Sequence, residues 1–312
     1  MKTILVTGGV GFIGSHLCNF LLKKKNNIIC VDNLHTSNLS NIKKLEKFKN
    51  FKFIKKNIFS SKLNIKVSEI YHLACPASPK NYQENPVNTI KTNVLGTINM
   101  LDLAKKNRAK ILLTSTSEVY GDPLEHPQKE DYWGNVNPIG VRSCYDEGKR
   151  CAETLFYDYY RQYNLKIKIV RIFNTYGPNM SFNDGRVVSN FIGQCLIGKP
   201  ITIYGKGLQT RSFCYVDDMV KGIYKMMNSN DKVVGPINLG NPDEHTIIEL
   251  AKKISQKLNK KSKIIYKALP KDDPIKRKPN INKAKTQLKW LPKVSLDEGL
   301  DKTISYFSKL VQ

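Results

Sequence analysis

Thr7-Gly8-Gly9-Val10-Gly11-Phe12-Ile13-Gly14 is the stretch that decides the fold. Before it, Lys2 to Val6 is a short, β-rich, largely apolar run, the pattern of a buried parallel strand. After it, His16-Leu17-Cys18-Asn19-Phe20-Leu21-Leu22 carries apolar residues at helical period. Strand, glycine turn and helix in this order form the context a dinucleotide fingerprint requires. Gly8, Gly11 and Gly14 allow a tight turn and close backbone approach to a pyrophosphate, and the helix N-terminus faces its charge. The next strand, Ile28 to Val31, ends in Asp32-Asn33. An acidic side chain there accepts hydrogen bonds from the adenosine ribose hydroxyls and repels a 2′-phosphate, which favours NAD over NADP. A structural glycine turn with a surface Asp is the plainer alternative. The flanking strand and helix, and an acid about 20 residues on, weigh against it.

A second pattern carries chemistry. Tyr145 and Lys149 stand four residues apart in Ser143-Cys144-Tyr145-Asp146-Glu147-Gly148-Lys149-Arg150. The stretch from Ser143 to Tyr163 has a helical stripe through Ala152, Leu155, Phe156, Tyr159, Tyr160 and Tyr163, so Tyr145 and Lys149 share a helix face. A free phenol titrates near about 10, and a neighbouring ammonium is expected to lower that toward neutrality. Such pairs are common on helix surfaces, so the upstream context matters. Ile111 to Leu113 reads as another buried strand, running into Thr114-Ser115-Thr116-Ser117-Glu118-Val119-Tyr120-Gly121. Ligands of open α/β sheets bind outside the carboxyl ends of strands, where this cluster of hydroxyls and one carboxylate falls.

With these residues assembled, the chain resembles the extended short-chain dehydrogenase/reductase superfamily. TGGVGFIG at 7–14, DN at 32–33, HLA at 72–74, STSEVYG at 115–121, YDEGK at 145–149 and RIFNTYGP at 171–178 carry the likeness. Within it the chain is similar to the UDP-glucuronate decarboxylases, or UDP-xylose synthases. His72 to Pro79, Tyr82, Asn85-Pro86, Thr89 to Asn93, Tyr132-Trp133-Gly134, Asn137 to Gly140, Arg142 to Tyr145, Gly185 to Phe191, Gln209 to Phe213 and Asp273 to Pro279 agree, nearly end to end. The resemblance implies a Rossmann-type, doubly wound α/β fold with a smaller C-terminal substrate-binding region. It implies a homodimer paired through a helix bundle, and here the apolar excess at Leu155, Phe156, Tyr159 and Tyr160 is expected to supply the contact; the seven cysteines, read as reduced thiols, point to a cytoplasmic setting.

The implied reaction converts UDP-glucuronate to UDP-xylose and CO₂. Tyr145 takes the proton from the C4 hydroxyl while hydride leaves C4 for NAD. Lys149 holds the nicotinamide ribose, and Thr116 or Ser117 bonds the C4 oxygen. The resulting 4-keto acid loses CO₂, is protonated at C5 and is re-reduced. The resemblance places NAD on Gly8, Gly11, Phe12, Ile13, Gly14, Asp32, Asn33, Asn57, Ile58, Leu73, Ala74, Asn93, Thr114, Tyr145, Lys149 and Phe173. It places the substrate on Pro76, Tyr82, Lys91, Asn174, Arg186, Val188, Tyr204, Gln209, Arg211 and Arg277, with arginines for the carboxylate and diphosphate. For each arginine alone, a surface ion pair is the bland alternative. No metal is implied.

One position separates sister reactions. Related 4,6-dehydratases have Asp-Glu where this chain has Ser117-Glu118, and a serine cannot protonate a departing C6 hydroxyl. The sister 4-epimerases commonly lack the Glu, so Glu118 is expected to serve at C5. Three departures stand beside the match. Asn57 replaces an Asp that contacts adenine, though its carbonyl can still accept; Asn38 replaces a frequent Gly; Val141 replaces a residue that is often polar. Two other readings stay open: a UDP-uronic acid 4-epimerase, and a non-catalytic NAD-sensing protein. Intact Tyr145, Lys149 and Glu118 argue against the second.

Composition sets the remaining bounds. At 312 residues, strand-helix alternation predicts an NAD-binding region over 1–175 and a smaller nucleotide-sugar region over 176–312, with segments returning to the main sheet. The N-terminus shows no signal-peptide pattern, and no membrane anchor is expected, since no stretch reaches about 18 apolar residues. Seven cysteines, an odd number without framework spacing, read as reduced thiols; Cys75, Cys144 and Cys151 near the candidate site read as packing residues. A net charge of +25 is spread over many lysines, without zinc spacing or an aromatic RNA-binding motif. It reads as a solvated basic surface, not a specific nucleic-acid site. Thr246 to Glu249 and Ser295 to Glu298 have capping-box spacing, Gly205 to Gly207 reads as a turn, and Lys271 to Pro279 reads as an ordered loop carrying Arg277.

Overall fold

Apolar runs that alternate between two buried faces build the centre of the molecule. The computed structural model describes residues 1–260, 262–270, 274 and 276–311. Strands β1 (Thr3–Thr7), β2 (Asn27–Asp32), β3 (Phe51–Lys55), β4 (Glu69–His72), β5 (Lys110–Thr116) and β6 (Ile167–Ile172) join a strand at Ile237–Leu239 in one sheet. Its order is 237–239, β6, β5, β4, β1, β2, β3, and every pairing in it is parallel. The helices are α1 (Phe12–Lys23), α2 (Pro79–Glu84), α3 (Pro86–Asn107), α4 (Ser143–Tyr163), α5 (Val187–Leu196), α6 (Val216–Met227), α7 (Ile247–Lys257), α8 (Asn282–Leu288) and α9 (Leu296–Val311).

Side chains on a strand alternate, and here both faces are dry. Val6, Cys30, Tyr71, Leu112 and Val170 pack into one cluster with Leu17 and Leu21 of α1 and Met219 and Ile223 of α6. Their neighbours Leu5, Val31, Ile70, Ile111 and Ile169 pack into a second with Met100 and Leu101 of α3 and Phe156 of α4. This is a Rossmann-type, doubly wound sheet. Strand order turns at β1, so the crevice outside the carboxyl ends of β1 and β4 is the expected ligand site.

Other segments beyond β6 build a smaller layer over that crevice. Ile201–Tyr204 pairs with Ile264–Lys267, and Thr210–Ser212 lies between Glu244–Thr246 and Lys276–Arg277. The expected capping box at α7 is present: Thr246 Oγ1 accepts from Glu249 N–H at 3.2 Å, and Glu249 accepts from Thr246 N–H at 2.9 Å. At α9 only half of it forms. Ser295 accepts from Glu298 N–H, but the Glu298 side chain turns outward to Lys302. The expected loop carrying Arg277 is corrected to a short strand, because Lys276–Arg277 pairs in parallel with Thr210–Arg211. Lys271, Asp272, Asp273 and Ile275 lie outside the described residues.

Candidate active site

A cavity of about 1350 Å³ opens along the carboxyl ends of β1 to β6 and under the smaller layer. Its wall includes the glycine turn, Asp32-Asn33, Asn57-Ile58, Leu73-Ala74, Pro76, Tyr82, Thr114 to Glu118, Tyr145, Lys149, Phe173-Asn174, Arg186, Val188, Tyr204, Gln209, Arg211 and Arg277. These positions lie far apart in sequence, and the parallel sheet and the smaller layer together bring them to one cleft.

The glycine turn has the shape of a phosphate cradle. Gly8 has φ +68°, and a Cβ on it would stand 2.9 Å from the Ala74 backbone. A Cβ on Gly14 would meet the Gly8 carbonyl oxygen at 2.1 Å. Helix α1 starts from Gly11 with no side-chain cap, so its first-turn amides face the cleft undressed. Asp32 is buried at the end of β2 and accepts from Val10 N–H, Leu34 N–H and the Ser37 hydroxyl at 3.1, 2.8 and 2.9 Å. A dinucleotide fits this arrangement, with its pyrophosphate on the α1 terminus and a ribose at Asp32. Gly14→Ala is expected to force the turn apart at a cost of about 1–3 kcal/mol. Chemical denaturation with and without NAD checks it: the variant loses the ligand's stabilisation, and full retention contradicts the cradle.

The other end of the cleft holds the polar chemistry. Tyr145 lies on the first turn of α4, with its ring stacked on Tyr82 at 5.0 Å and 3°. Thr116, at the end of β5, hydrogen-bonds the Tyr145 phenol. Ser117 is turned the other way and accepts from Arg277 Nη1 at 3.1 Å. Of the two hydroxyls expected at C4, Thr116 is therefore the one on the phenol. Lys149 is buried and donates to the Thr114 carbonyl at 3.0 Å.

The expected lowering of the Tyr145 pKa by Lys149 is corrected here. Burial pushes the phenol well up, the Cys75, Glu118 and Asp146 charges add to that, and the Thr116 hydrogen bond opposes it. Burial also lowers Lys149. Desolvation outweighs the i,i+4 attraction in the ligand-free cleft. His72 beneath them is a neutral brace. It bonds Thr7 at 2.9 Å and Thr97 at 3.1 Å, and burial, with the Lys149 charge, pushes it down to about 3.

Glu118 sits between two guanidinium groups. Arg277 Nη1 donates to its Oε1 at 2.7 Å, and Arg142 Nη2 donates to its Oε2 at 2.5 Å. Burial works against its charge, but Arg277 and Arg142 overcome this and hold the carboxyl at about 2. Glu118 is thus ionised at any physiological pH. Arg277 is fully buried and also donates to the Gly121 carbonyl at 2.9 Å. It lines the cleft beside Glu118. Arg186 is bound by Asp184 and lies over the Phe12 ring at 5.7 Å, and Arg211 donates to the Thr210 and Pro274 carbonyls. Gln209 donates to the Tyr204 carbonyl at 2.7 Å.

Two expected residues do not reach the wall. Lys91 is exposed on α3, whose buried face runs through Thr89, Asn93, Gly96, Thr97 and Met100. Two residues past Thr89 is about 200° of helical rotation, which turns Lys91 to the solvent side. Asn93 is buried behind the cleft, where a Cβ on Gly148 would come within 2.9 Å of its Nδ2. Asn57 lines the cleft, but its carbonyl already accepts from Phe59 N–H at 3.0 Å.

Sequence reasoning gave no role to Arg142, to Asp146 or to a buried brace behind β5. In that brace Glu153 accepts from Ser115 at 2.6 Å and from both ends of the Arg171 fork at 3.0 and 2.7 Å. Arg171 also reaches the Tyr120 hydroxyl at 2.9 Å. The brace ties α4, the end of β5 and β6 together, so Tyr145 and Thr116 keep their relative placement. The one signal in the sequence was Arg171 near the end of the otherwise largely apolar β6.

Comparison with known proteins agrees with this geometry. A family described as GDP-mannose 4,6 dehydratase matches residues 5–303. UDP-glucuronic acid decarboxylase 3 of Arabidopsis thaliana is 58% identical over 298 residues, 95% of this chain and 86% of that protein. UDP-glucuronic acid decarboxylase 1 of Danio rerio is 53% identical over 308 residues, 99% of this chain and 73% of that protein. The solved structure of UDP-glucuronic acid 4-epimerase from Bacillus cereus, in complex with UDP-glucuronic acid and NAD, has TM-score 0.88 and 30% identity, covering 99% of each chain.

Proposed function

The chain belongs to the UDP-glucuronic acid decarboxylase family, and from that premise we propose that it converts UDP-glucuronate to UDP-xylose and CO₂ with a bound NAD. The observation that carries the reading is the ionised Glu118, held by Arg277 and Arg142 on the cleft wall that also bears Thr116, Tyr145 and Lys149. The cofactor, when bound, supplies a reversible hydride acceptor for C4. Tyr145 takes the C4 hydroxyl proton and later returns it, with Thr116 bonded to the same phenol oxygen. Lys149 is positioned by the Thr114 carbonyl to hold the cofactor's ribose.

Oxidation at C4 leaves the sugar carboxylate β to a ketone. It departs as CO₂, its electron pair passes into the C4 carbonyl as an enolate, and one proton from solvent adds at C5. Glu118 cannot donate that proton directly while two guanidiniums hold it near about 2; it fixes Arg277 at the reacting end of the sugar. Ser117 has no acidic proton for a departing hydroxyl and is already bonded to Arg277, so dehydration has no acid here. With purified protein, NAD and UDP-glucuronate, the expected result is stoichiometric CO₂ with no net NADH. Turnover without CO₂ release would point to 4-epimerisation.

A homodimer through α3 and α4 belongs to the same reading. The expected contact residues need correction: Phe156 is core, and Leu155 and Tyr159 pack against that core. Of the four expected residues Tyr160 is exposed, as are Tyr163 of α4 and Val87, Ile90 and Leu95 of α3. Light scattering is expected to give twice the chain mass, and a monomer at micromolar concentration counts against it. No described helix is long and apolar enough to cross a membrane. The seven free thiols fit the reducing, cytoplasmic setting we infer.

A further inference from the structure

Arg277 reaches the cleft from a strand of two residues, Lys276–Arg277, paired with Thr210–Arg211. Its guanidinium meets Glu118 Oε1 at 2.7 Å, the Ser117 hydroxyl at 3.1 Å and the Gly121 carbonyl at 2.9 Å. So short a strand fixes little by itself. The residues just after it, Lys278 to Asn280, are held by Gln128, which is fully buried. Gln128 Oε1 accepts from Lys278 N–H at 2.8 Å, and its Nε2 donates to the Glu125 carbonyl at 2.8 Å. Its backbone N–H donates to the Lys278 carbonyl at 2.9 Å, and its carbonyl accepts from Asn280 N–H at 2.8 Å. We propose that Gln128 is a positioning residue of the active site, which sets Arg277 in register with Glu118.

The other side of the same contact is moored to Gln128 as well. Asn238 Nδ2 donates to the Gln128 carbonyl at 3.0 Å and to the Asn280 carbonyl at 3.1 Å. Asn238 Oδ1 accepts from the Tyr120 hydroxyl at 2.8 Å, and that hydroxyl accepts from Arg171 at 2.9 Å. Arg171 is paired with Glu153, which accepts from Ser115 on β5, the strand that runs into Ser117 and Glu118. Gln128, Asn238 and Tyr120 are all fully buried. A buried polar chain whose members find their partners specifies one arrangement. This one joins the segment carrying Glu118 to the strand carrying Arg277, two residues 159 positions apart.

The inference rests on the decarboxylase reading, in which CO₂ leaves and an enolate forms beside this guanidinium. A donor already aimed at the place where charge develops needs no rearrangement during the reaction. A shift of about 1 Å at such a donor costs up to about 10²-fold in rate, even when the mutated residue is remote. The plainer role for Gln128 is a loop anchor that serves stability alone. Its side chain, however, accepts from the amide of Lys278, the residue next to Arg277, and so sets where the Arg277–Lys278 peptide lies. The glycine turn, Tyr145 and Lys149 make no hydrogen bond to Gln128 among the described residues, so C4 oxidation does not depend on it.

The test is Gln128→Met in the full chain, which keeps the side chain's length and removes both of its hydrogen bonds. Wild type and variant, each in excess over UDP-glucuronate and loaded with NAD, are followed for two rates: appearance of bound NADH and release of CO₂. The expected result is NADH appearance within about twofold of wild type and CO₂ release lowered about tenfold or more, so that NADH stays visible on the variant. A loop anchor alone would leave both rates unchanged per folded molecule, and general loosening of the cleft would lower both together. Either outcome overturns the inference. Where Gln128→Met does not fold, Gln128→Asn, which draws the acceptor back from Lys278 N–H, is read in the same way. Both rates unchanged or lowered together in that variant overturn the inference. Wild type that releases no CO₂ overturns the parent reading, and this one with it. Wild type that releases CO₂ beside a variant without the split overturns this one alone.

Discussion

Tyr145→Phe is expected to lower turnover by about 10²–10⁴-fold while leaving UDP-glucuronate binding close to wild type. Phenylalanine keeps the ring that stacks on Tyr82 at 5.0 Å, so the cleft wall should hold its shape. What is lost is the one oxygen bonded to Thr116 at the place where the C4 proton must go. The ligand-free cleft keeps this phenol protonated, since burial raises it and Lys149 is turned to the Thr114 carbonyl. The charge that brings it into range must therefore arrive with the bound ligands. Steady-state rates and calorimetric binding check the two halves separately. A variant retaining more than about a tenth of wild-type turnover would mean that another group is the base.

Glu118→Gln is the second large effect. It removes the negative charge between Arg277 and Arg142, and breaking a buried pair in this way costs about 3–5 kcal/mol of stability. It also removes the like charge that helps raise Asp146, so the Asp146 carboxyl should move down and ionise more readily. C4 oxidation uses Tyr145 as its base and should survive in part. Loss should concentrate after hydride transfer, so the expected signature is enzyme-bound NADH, visible in its absorbance band, with a 4-keto product. A folded variant that completes the cycle at the wild-type rate would remove Glu118 from the mechanism.

The parts of this site legible in the sequence are those whose geometry is local. The turn at Gly8 to Gly14 and the Tyr145 to Lys149 helix face are fixed by spacing alone, and both face the cleft. Glu118 could be placed at a strand end, but its protonation could not, because Arg277 lies 159 residues away and reaches it only through the pairing with Thr210–Arg211. Asp146 went unnoticed for the same reason: its carboxyl is raised first by burial and then by Glu118, with Arg142 and Arg277 opposing. Lys91, carried over by resemblance, stands exposed on α3 between Asn88 and Thr92 in sequence, both of which line the cleft. Of the α4 residues expected at a dimer contact, Phe156 lies in the core and Leu155 and Tyr159 pack against it, because apolar residues on α4 satisfy the core first.

The central claim is that one cleft oxidises C4, expels the carboxylate and re-reduces the same carbon with the same hydride. A single ¹H NMR time course of UDP-glucuronate with NAD in D₂O tests it most directly. The expected product is UDP-xylose with one solvent deuterium at C5 and the substrate's own hydrogen still at C4. UDP-galacturonate, with its carboxylate intact and no deuterium at C5, would contradict it.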